Sequence, residues 1–204
     1  MFTGLIREKA IVSLENDRLK VTAKYTPNVG DSIAINGACL TAIFVAQNYF
    51  YVNLSHETKN SIAVENLNGY AHIEAAMKLG DRIEGHILQG HIDTIGTIVN
   101  IEKIGENSDL TISVPKEKTR LISKKGSIAI DGVSLTIAEV YEDKFKITLI
   151  DHTLKNMLFT NYNISRRVNI ETDMFARYTE RILTAAKSKP HENWERFERL
   201  MSTF

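Results

Sequence analysis

Residues 32–41, Ser-Ile-Ala-Ile-Asn-Gly-Ala-Cys-Leu-Thr, return 95 positions later as residues 127–136, Ser-Ile-Ala-Ile-Asp-Gly-Val-Ser-Leu-Thr, identical at seven of the ten places. Unrelated segments match at roughly one position in ten or fewer, so the chain carries an internal duplication. The same offset pairs Phe50 with Phe145, Leu54 with Leu149 and Thr58 with Thr153. Further on, His72–Met77 lies over Asn169–Met174 at an offset of 97, which requires a two-residue insertion in the second copy. At the front, Gly4-Leu-Ile lies over Gly90-His-Ile at an offset of 86. A length of 204 residues then divides into two small units and a remainder. The boundaries expected are 1–86, 87–173 and a tail of 174–204.

Within each copy, short β-branched runs are punctuated by turn residues: Asn36-Gly37 and Asn66-Leu-Asn-Gly69 in the first, Asp131-Gly132 and Glu142-Asp143 in the second. Alternation along Leu110–Val114 and Phe145–Ile150 gives each strand one buried and one polar face. The stretch from Ser32 to Ser55 reads as two strands joined by a turn at Gln47-Asn48. About six strands per copy close most economically into a small barrel. Helical spacing is confined to a short piece near Pro115–Ser123 and to the tail. There Met174, Phe175, Tyr178, Ile182 and Leu183 form one apolar stripe with Asp173 as N-cap, and Trp194, Phe197, Leu200 and Met201 form another. The tail is one interrupted helix or two short ones, packed on its own second barrel or against the same helix of sister chains. The fold class expected is all-β with a helical tail.

Lys plus Arg and Asp plus Glu balance at 25 each, so no net field draws the chain to nucleic acid or to an anionic membrane. Arg7, Glu8 and Lys9 interrupt the place where a secretory leader needs an unbroken apolar stretch, and no apolar run reaches the length of a membrane span. The single cysteine, Cys39, excludes an internal disulfide and agrees with a reducing, cytoplasmic location.

A duplicated small-molecule site should keep its ligand contacts in both copies. Three pairs of segments qualify: Cys39-Leu40-Thr41 with Ser134-Leu135-Thr136, Asn53–Thr58 with Thr148–Thr153, and Gly4-Leu5-Ile6 with Gly90-His91-Ile92. The first pair projects a thiol or hydroxyl and a threonine from one face of a strand. In the third pair a glycine lets a flat ring approach the backbone. Cys39 alone would read as a small buried hydrophobe, and its match to Ser134 is what argues for hydrogen bonding. The imidazole of His91, following a glycine, suits proton transfer. His86, His91 and Asp93 lack the support of further ligand clusters, and no metal is expected. Lys125 before Gly126 reads equally as a turn or as a pocket residue.

Taken together, Met1-Phe2-Thr3-Gly4, Asn36–Thr41, Gly85-His-Ile-Leu-Gln-Gly-His-Ile-Asp93 and Asp131–Thr136 resemble the riboflavin synthase family over essentially the whole chain. The resemblance implies two six-stranded Greek-key barrels, a C-terminal helix that joins chains into a homotrimer, and an association with lumazine synthase. Each barrel would bind one dimethyl-ribityl-lumazine, and the site would form between barrels of different subunits. The implied reaction is a transferase dismutation of two lumazines, without cofactor, yielding riboflavin and a ribitylamino-pyrimidinedione. The first pocket would comprise Gly4, Leu5, Ile6, Cys39, Leu40, Thr41, Asn53, Leu54, Ser55, His56, Glu57 and Thr58. The second would comprise Gly90, His91, Ile92, Lys125, Ser134, Leu135, Thr136, Ile150, Asp151, His152, Thr153 and Leu154. His91, Cys39, Ser134 and Thr136 are the candidates for proton transfer or activation, with Asp173 as a partner. Phe2 and Thr3 would close over the stacked rings, so an extended N-terminus should harm activity.

Two departures from the family pattern, Ala10 for a glycine in the early strand and Asp93-Thr-Ile-Gly96 after the second histidine, are expected to affect a turn more than the chemistry. A non-catalytic antenna protein that binds lumazine or flavin is the main rival, but both repeats here keep their polar residues. A flavin-dependent reductase would need a nicotinamide-binding domain for which the tail is too short.

Overall fold

A computed structural model describes residues 1–187. Twelve strands run through the two copies in the same order. Copy one holds β1 (Glu8–Glu15), β2 (Arg18–Thr22), β3 (Ser32–Ile35), β4 (Ala38–Val45), β5 (Tyr49–Asn53) and β6 (Gly69–Ala75). Copy two holds β7 (Thr94–Ile104), β8 (Asn107–Ser113), β9 (Ser127–Ile130), β10 (Val133–Val140), β11 (Lys144–Leu149) and β12 (Arg167–Thr172). Each set closes into an antiparallel barrel, β1-β2-β5-β4-β3-β6 and β10-β11-β8-β7-β12-β9, which is one cyclic order repeated. The span Ser32–Ser55 holds three strands rather than two, because the chain also reverses at Asn36-Gly37.

The Asn36-Gly37 and Asp131-Gly132 pairs take positive φ at both positions, 43° and 83°, and 45° and 81°. That is the hairpin turn whose twist matches its strands. Each following strand carries a bulge at the same place, between Ala42 and Phe44 and between Ile137 and Glu139. Helix α1 (His56–Ser61) and helix α3 (Asp151–Asn156) sit at matched places after β5 and β11. Helix α2 (Lys116–Thr119) falls in the short stretch where helical spacing was expected. Helix α4 (Met174–Lys187) follows the second barrel, with Asp173 capping it through the Phe175 amide at 2.8 Å, as its sequence implies. Phe175, Tyr178, Ile182 and Leu183 are all more than half exposed, so the stripe does not pack on the second barrel. The second apolar stripe, Trp194 to Met201, lies outside the described residues. No described helix is long and apolar enough to cross a membrane.

Each barrel has its own apolar core, and a third cluster of Phe2, Ala34, Leu88 and Ala129 lies between them. The seam is a matched polar network. His72 and Asn169 donate their backbone N–H groups to the Asn36 and Asp131 side chains at 2.9 and 2.8 Å. The Asn169 side chain spans the seam, donating to the Asn36 carbonyl and accepting from the Ala63 amide. His72 does the same in the other direction: its Nε2 accepts from the Leu158 amide, so its Nδ1–H donates to the Asp131 carbonyl. On this seam Gly37 and Gly132 touch, and a Cβ on either would lie 2.8 Å from the other's backbone nitrogen.

Candidate active site

A strap of backbone leads into each barrel, residues 1–7 before β1 and 86–93 before β7. Sequence reasoning grouped Gly4–Ile6 with Cys39 and Gly90–Ile92 with Ser134; the structure exchanges them. The Gly4 carbonyl accepts from the Ser134 amide at 3.0 Å, and the Gly90 carbonyl accepts from the Cys39 amide at 2.8 Å. Ile6 packs on the second core and Ile92 on the first. The cause lies at the seam, where Phe2 and Leu88 pair in antiparallel fashion, so each strap crosses and emerges on the opposite barrel. Gly4 (φ 77°) and Gly90 (φ 76°) permit the approach, since a Cβ would stand 2.5 Å from the Ser134 and Cys39 Cβ atoms respectively.

Two buried carboxylates hold the straps. Glu74 accepts from the Thr3 and Gly4 amides at 2.8 and 3.0 Å and from the Thr3 hydroxyl at 2.7 Å. Glu171, its match in the repeat, accepts from the Gln89 and Gly90 amides at 2.8 and 2.9 Å. Burial pushes both carboxyls above their ordinary values, while these hydrogen bonds pull them down.

On the first barrel a cavity of about 370 Å³ lies between Cys39 of β4, Glu57, Thr58 and Ser61 of α1, and Gly90, His91 and Ile92 of the strap. The segment read as Asn53–Thr58 is in part this helix. Ser55 is its N-cap, accepting from the Thr58 amide at 3.0 Å, and Glu57 lies in its first turn, where negative charge is favoured. Other expected pocket residues lie elsewhere. Leu40 and Leu54 face the barrel core, Thr41 is exposed further along β4, and His56 is exposed on α1. Asn53 lines a separate cavity with the β1–β2 hairpin.

On the second barrel, the His86 Nδ1 lies 2.7 Å from the Ser134 hydroxyl. The other ring nitrogen is buried without a hydrogen-bond partner. Burial holds His86 below the ordinary imidazole range, and the charge of Asp173 opposes that. Ser134 and Asp173 were anticipated for this chemistry, whereas His86 was weighed only as a metal ligand. His86 has no counterpart in copy one, because an offset of 86 points before residue 1; the signal was its place in the same Gly-His-containing stretch as His91.

The remaining expectations divide. Leu5 and Thr153 are half-buried, and Thr136, Ile150, His152 and Lys125 are exposed, with Lys125 in a left-handed turn at φ 66°. Leu135 packs toward the second core. Asp151 and Leu154 line a cavity of about 440 Å³ with Lys103 and Phe159. Phe2 is 1% exposed and Thr3 4%; both anchor the strap that presents Gly4, Phe2 through its pairing with Leu88 and Thr3 through Glu74.

Residues 3–74 and 89–173 match the lumazine binding domain family, one domain on each barrel. Riboflavin synthase of Photobacterium leiognathi is 34% identical, covering 90% of this chain and 89% of its own. The riboflavin synthase of Bacillus subtilis (strain 168) is 34% identical with 91% of each chain covered. Among solved structures, LumP complexed with riboflavin superposes with a TM-score of 0.73 at 22% identity, over 84% of this chain and 99% of that one. That last likeness concerns the fold. With duplicated domains, matched straps and relatives of this identity over nearly the full length, the chain belongs to the riboflavin synthase family.

Proposed function

We propose that the chain catalyses the dismutation in which one dimethyl-ribityl-lumazine gives a four-carbon unit to a second, yielding riboflavin and a ribitylamino-pyrimidinedione. The observation that carries this reading is the pair of crossed straps, which gives each barrel a polar strand position faced by a glycine from the other repeat. Two like arrangements of strap and strand, one on each barrel, suit a reaction of two like molecules. The lumazines together supply every atom of both products, so no external oxidant or cofactor enters the balance. Much of the acceleration then comes from orientation of two flat rings, with proton transfer at a ring methyl as the remaining task. A serine hydroxyl beside a neutral imidazole, Ser134 with His86, suits that transfer on the second barrel. Cys39 and His91 border the cavity on the first.

The reading includes units of 1–86 and 87–173, and a homotrimer joined through α4 and the tail, in which barrels of different chains share a site. An association with lumazine synthase and a cytoplasmic setting complete it. Purified protein given the lumazine alone is expected to develop riboflavin fluorescence. Tight lumazine binding without turnover would instead favour a binding protein.

A further inference from the structure

The two straps are alike in their carboxylate clamps and unlike in one respect. Glu74 has no cationic partner among the described residues, whereas the strap of the second repeat is gripped by Arg177 from the first turn of α4. One guanidinium nitrogen lies 3.0 Å from Asp93 Oδ1; the other lies 2.9 Å from Gln89 Oε1 and 3.5 Å from Glu171 Oε1. The far oxygen of Asp93 is fixed by the Thr172 amide and hydroxyl, both at 2.7 Å. The arginine side chain is 20% exposed, Asp93 12% and Glu171 2%, so these charges meet in partial shelter from water, where such bonds are strong.

The repeat shows what the first copy does without. By the offsets of the duplication, Arg7 stands where Asp93 stands and Gly80 where Arg177 stands. The arginine grip belongs to one strap only. It holds residues 89 and 93, the two ends of the short piece whose middle, Gly90-His91-Ile92, walls the cavity over Cys39.

We infer that Arg177 is a positioning residue for the proposed reaction, holding Gly90–Ile92 against the first barrel so that its pocket is formed before the lumazine arrives. The inference rests on the proposed function for its kinetic consequence and on the contacts alone for its mechanical one. A strap that is held only part of the time lowers apparent affinity by the fraction of molecules that are competent, leaving later steps alone. A purely structural arginine would lower thermal stability and the amount of active protein, without changing KM.

The test compares Arg177→Met, which keeps the apolar stem, with Arg177→Lys in the full chain. Amide hydrogen exchange is measured on the peptides spanning 86–93 and 1–6, and KM and kcat are measured with the lumazine. In Arg177→Met, exchange at Gln89 and Gly90 should accelerate about tenfold while that at Thr3 and Gly4 is unchanged. KM should rise about tenfold with kcat within twofold, the scale of one charge-assisted hydrogen bond. Arg177→Lys should recover part of both. Gln89→Leu, which removes one bond of the grip and leaves α4 tied to Asp93, should shift both in the same direction by less. Equal exchange in the two straps, or a raised KM with the 86–93 peptide still protected, overturns the inference. Loosening confined to 86–93 in a protein that binds but never turns over the lumazine keeps the arginine's role and overturns the reaction.

Discussion

Cys39 and Ser134 occupy one place in the repeat, but only Ser134 has an imidazole on its side-chain oxygen. With burial holding His86 below its ordinary value of 6.5, the ring is neutral at pH 7 and able to take the hydroxyl proton. Replacing Ser134 or His86 by Ala should each lower turnover by at least about 100-fold, as expected for loss of a positioned proton-transfer group. The double variant should be no slower than either single one, since groups acting as a unit do not add. Full turnover in either single variant removes the pair from the chemistry. Because the base form is lost only as pH falls through the lowered His86 pKa, the acid limb of the rate profile should lie below 6.5. Asp173→Asn keeps the cap of α4 but removes the charge that raises His86, so this limb should move to lower pH. An unmoved limb would assign it to another group. Ser134 was legible because it repeats; His86 was not, because duplication points only to residues that have a twin.

Strands, turns and bulges follow from local pattern, which is why two barrels could be read from β-branched runs and Asn-Gly or Asp-Gly turns. The crossing of the straps could not, for it depends on contacts between Gly4 and Ser134, far apart in sequence, and on the Phe2–Leu88 pairing at the seam. Helix α1 was missed although Ser55 is a good cap, because a helix this short has no apolar periodicity of its own. Gly90→Ala tests the strap as an element. A Cβ there meets the Cys39 Cβ at 2.5 Å and φ is 76°, so the strap must lift. Stability should fall by roughly 1–3 kcal/mol from backbone strain alone, and lumazine binding at the first barrel should weaken with it. Unchanged binding by fluorescence titration would mean that the strap does not wall the site. Helix α4 presents the other element-scale expectation. Its exposed Phe175, Tyr178, Ile182 and Leu183 form a face that, in the proposed trimer, is covered by sister helices. Ile182→Glu should then shift the mass in solution from trimer to monomer and abolish turnover while leaving both barrels folded. A trimer that survives the substitution assigns assembly to another surface.

At the scale of the whole molecule the two barrels behave as one body only if their seam holds, and the seam contains two groups that titrate in opposite senses. Burial lowers His72 to about 4, and its two ring nitrogens serve as donor and acceptor only in the neutral form. Its contribution is therefore whole above the unfolded value of 6.5 and is lost as pH falls from there toward 4, by about 3 kcal/mol. Asp131, fully buried, is raised from 3.8 to about 6 despite the hydrogen bond from Tyr162. It contributes stability below 3.8 that is lost as pH rises through 6, an effect of similar size in the reverse direction. Over the same interval the two offset one another, so the seam itself should depend little on pH. The repeat supplies the way to expose this, since Asn169 does from the second copy what His72 does from the first. In His72→Asn the amide can replace the bond to the Asp131 carbonyl but is too short to reach the Leu158 amide as well. At pH 7 the variant should be less stable than the parent by about 1–3 kcal/mol, the cost of one buried unpaired N–H. Without the imidazole, the difference between variant and parent should move about 3 kcal/mol in the variant's favour between pH 7 and pH 4, because every other titrating group is common to both. Urea unfolding of the two proteins across that range measures it. Parallel stability curves would mean that His72 takes up its proton in the seam as readily as in the unfolded chain, and that the matched network does not depend on its neutral form.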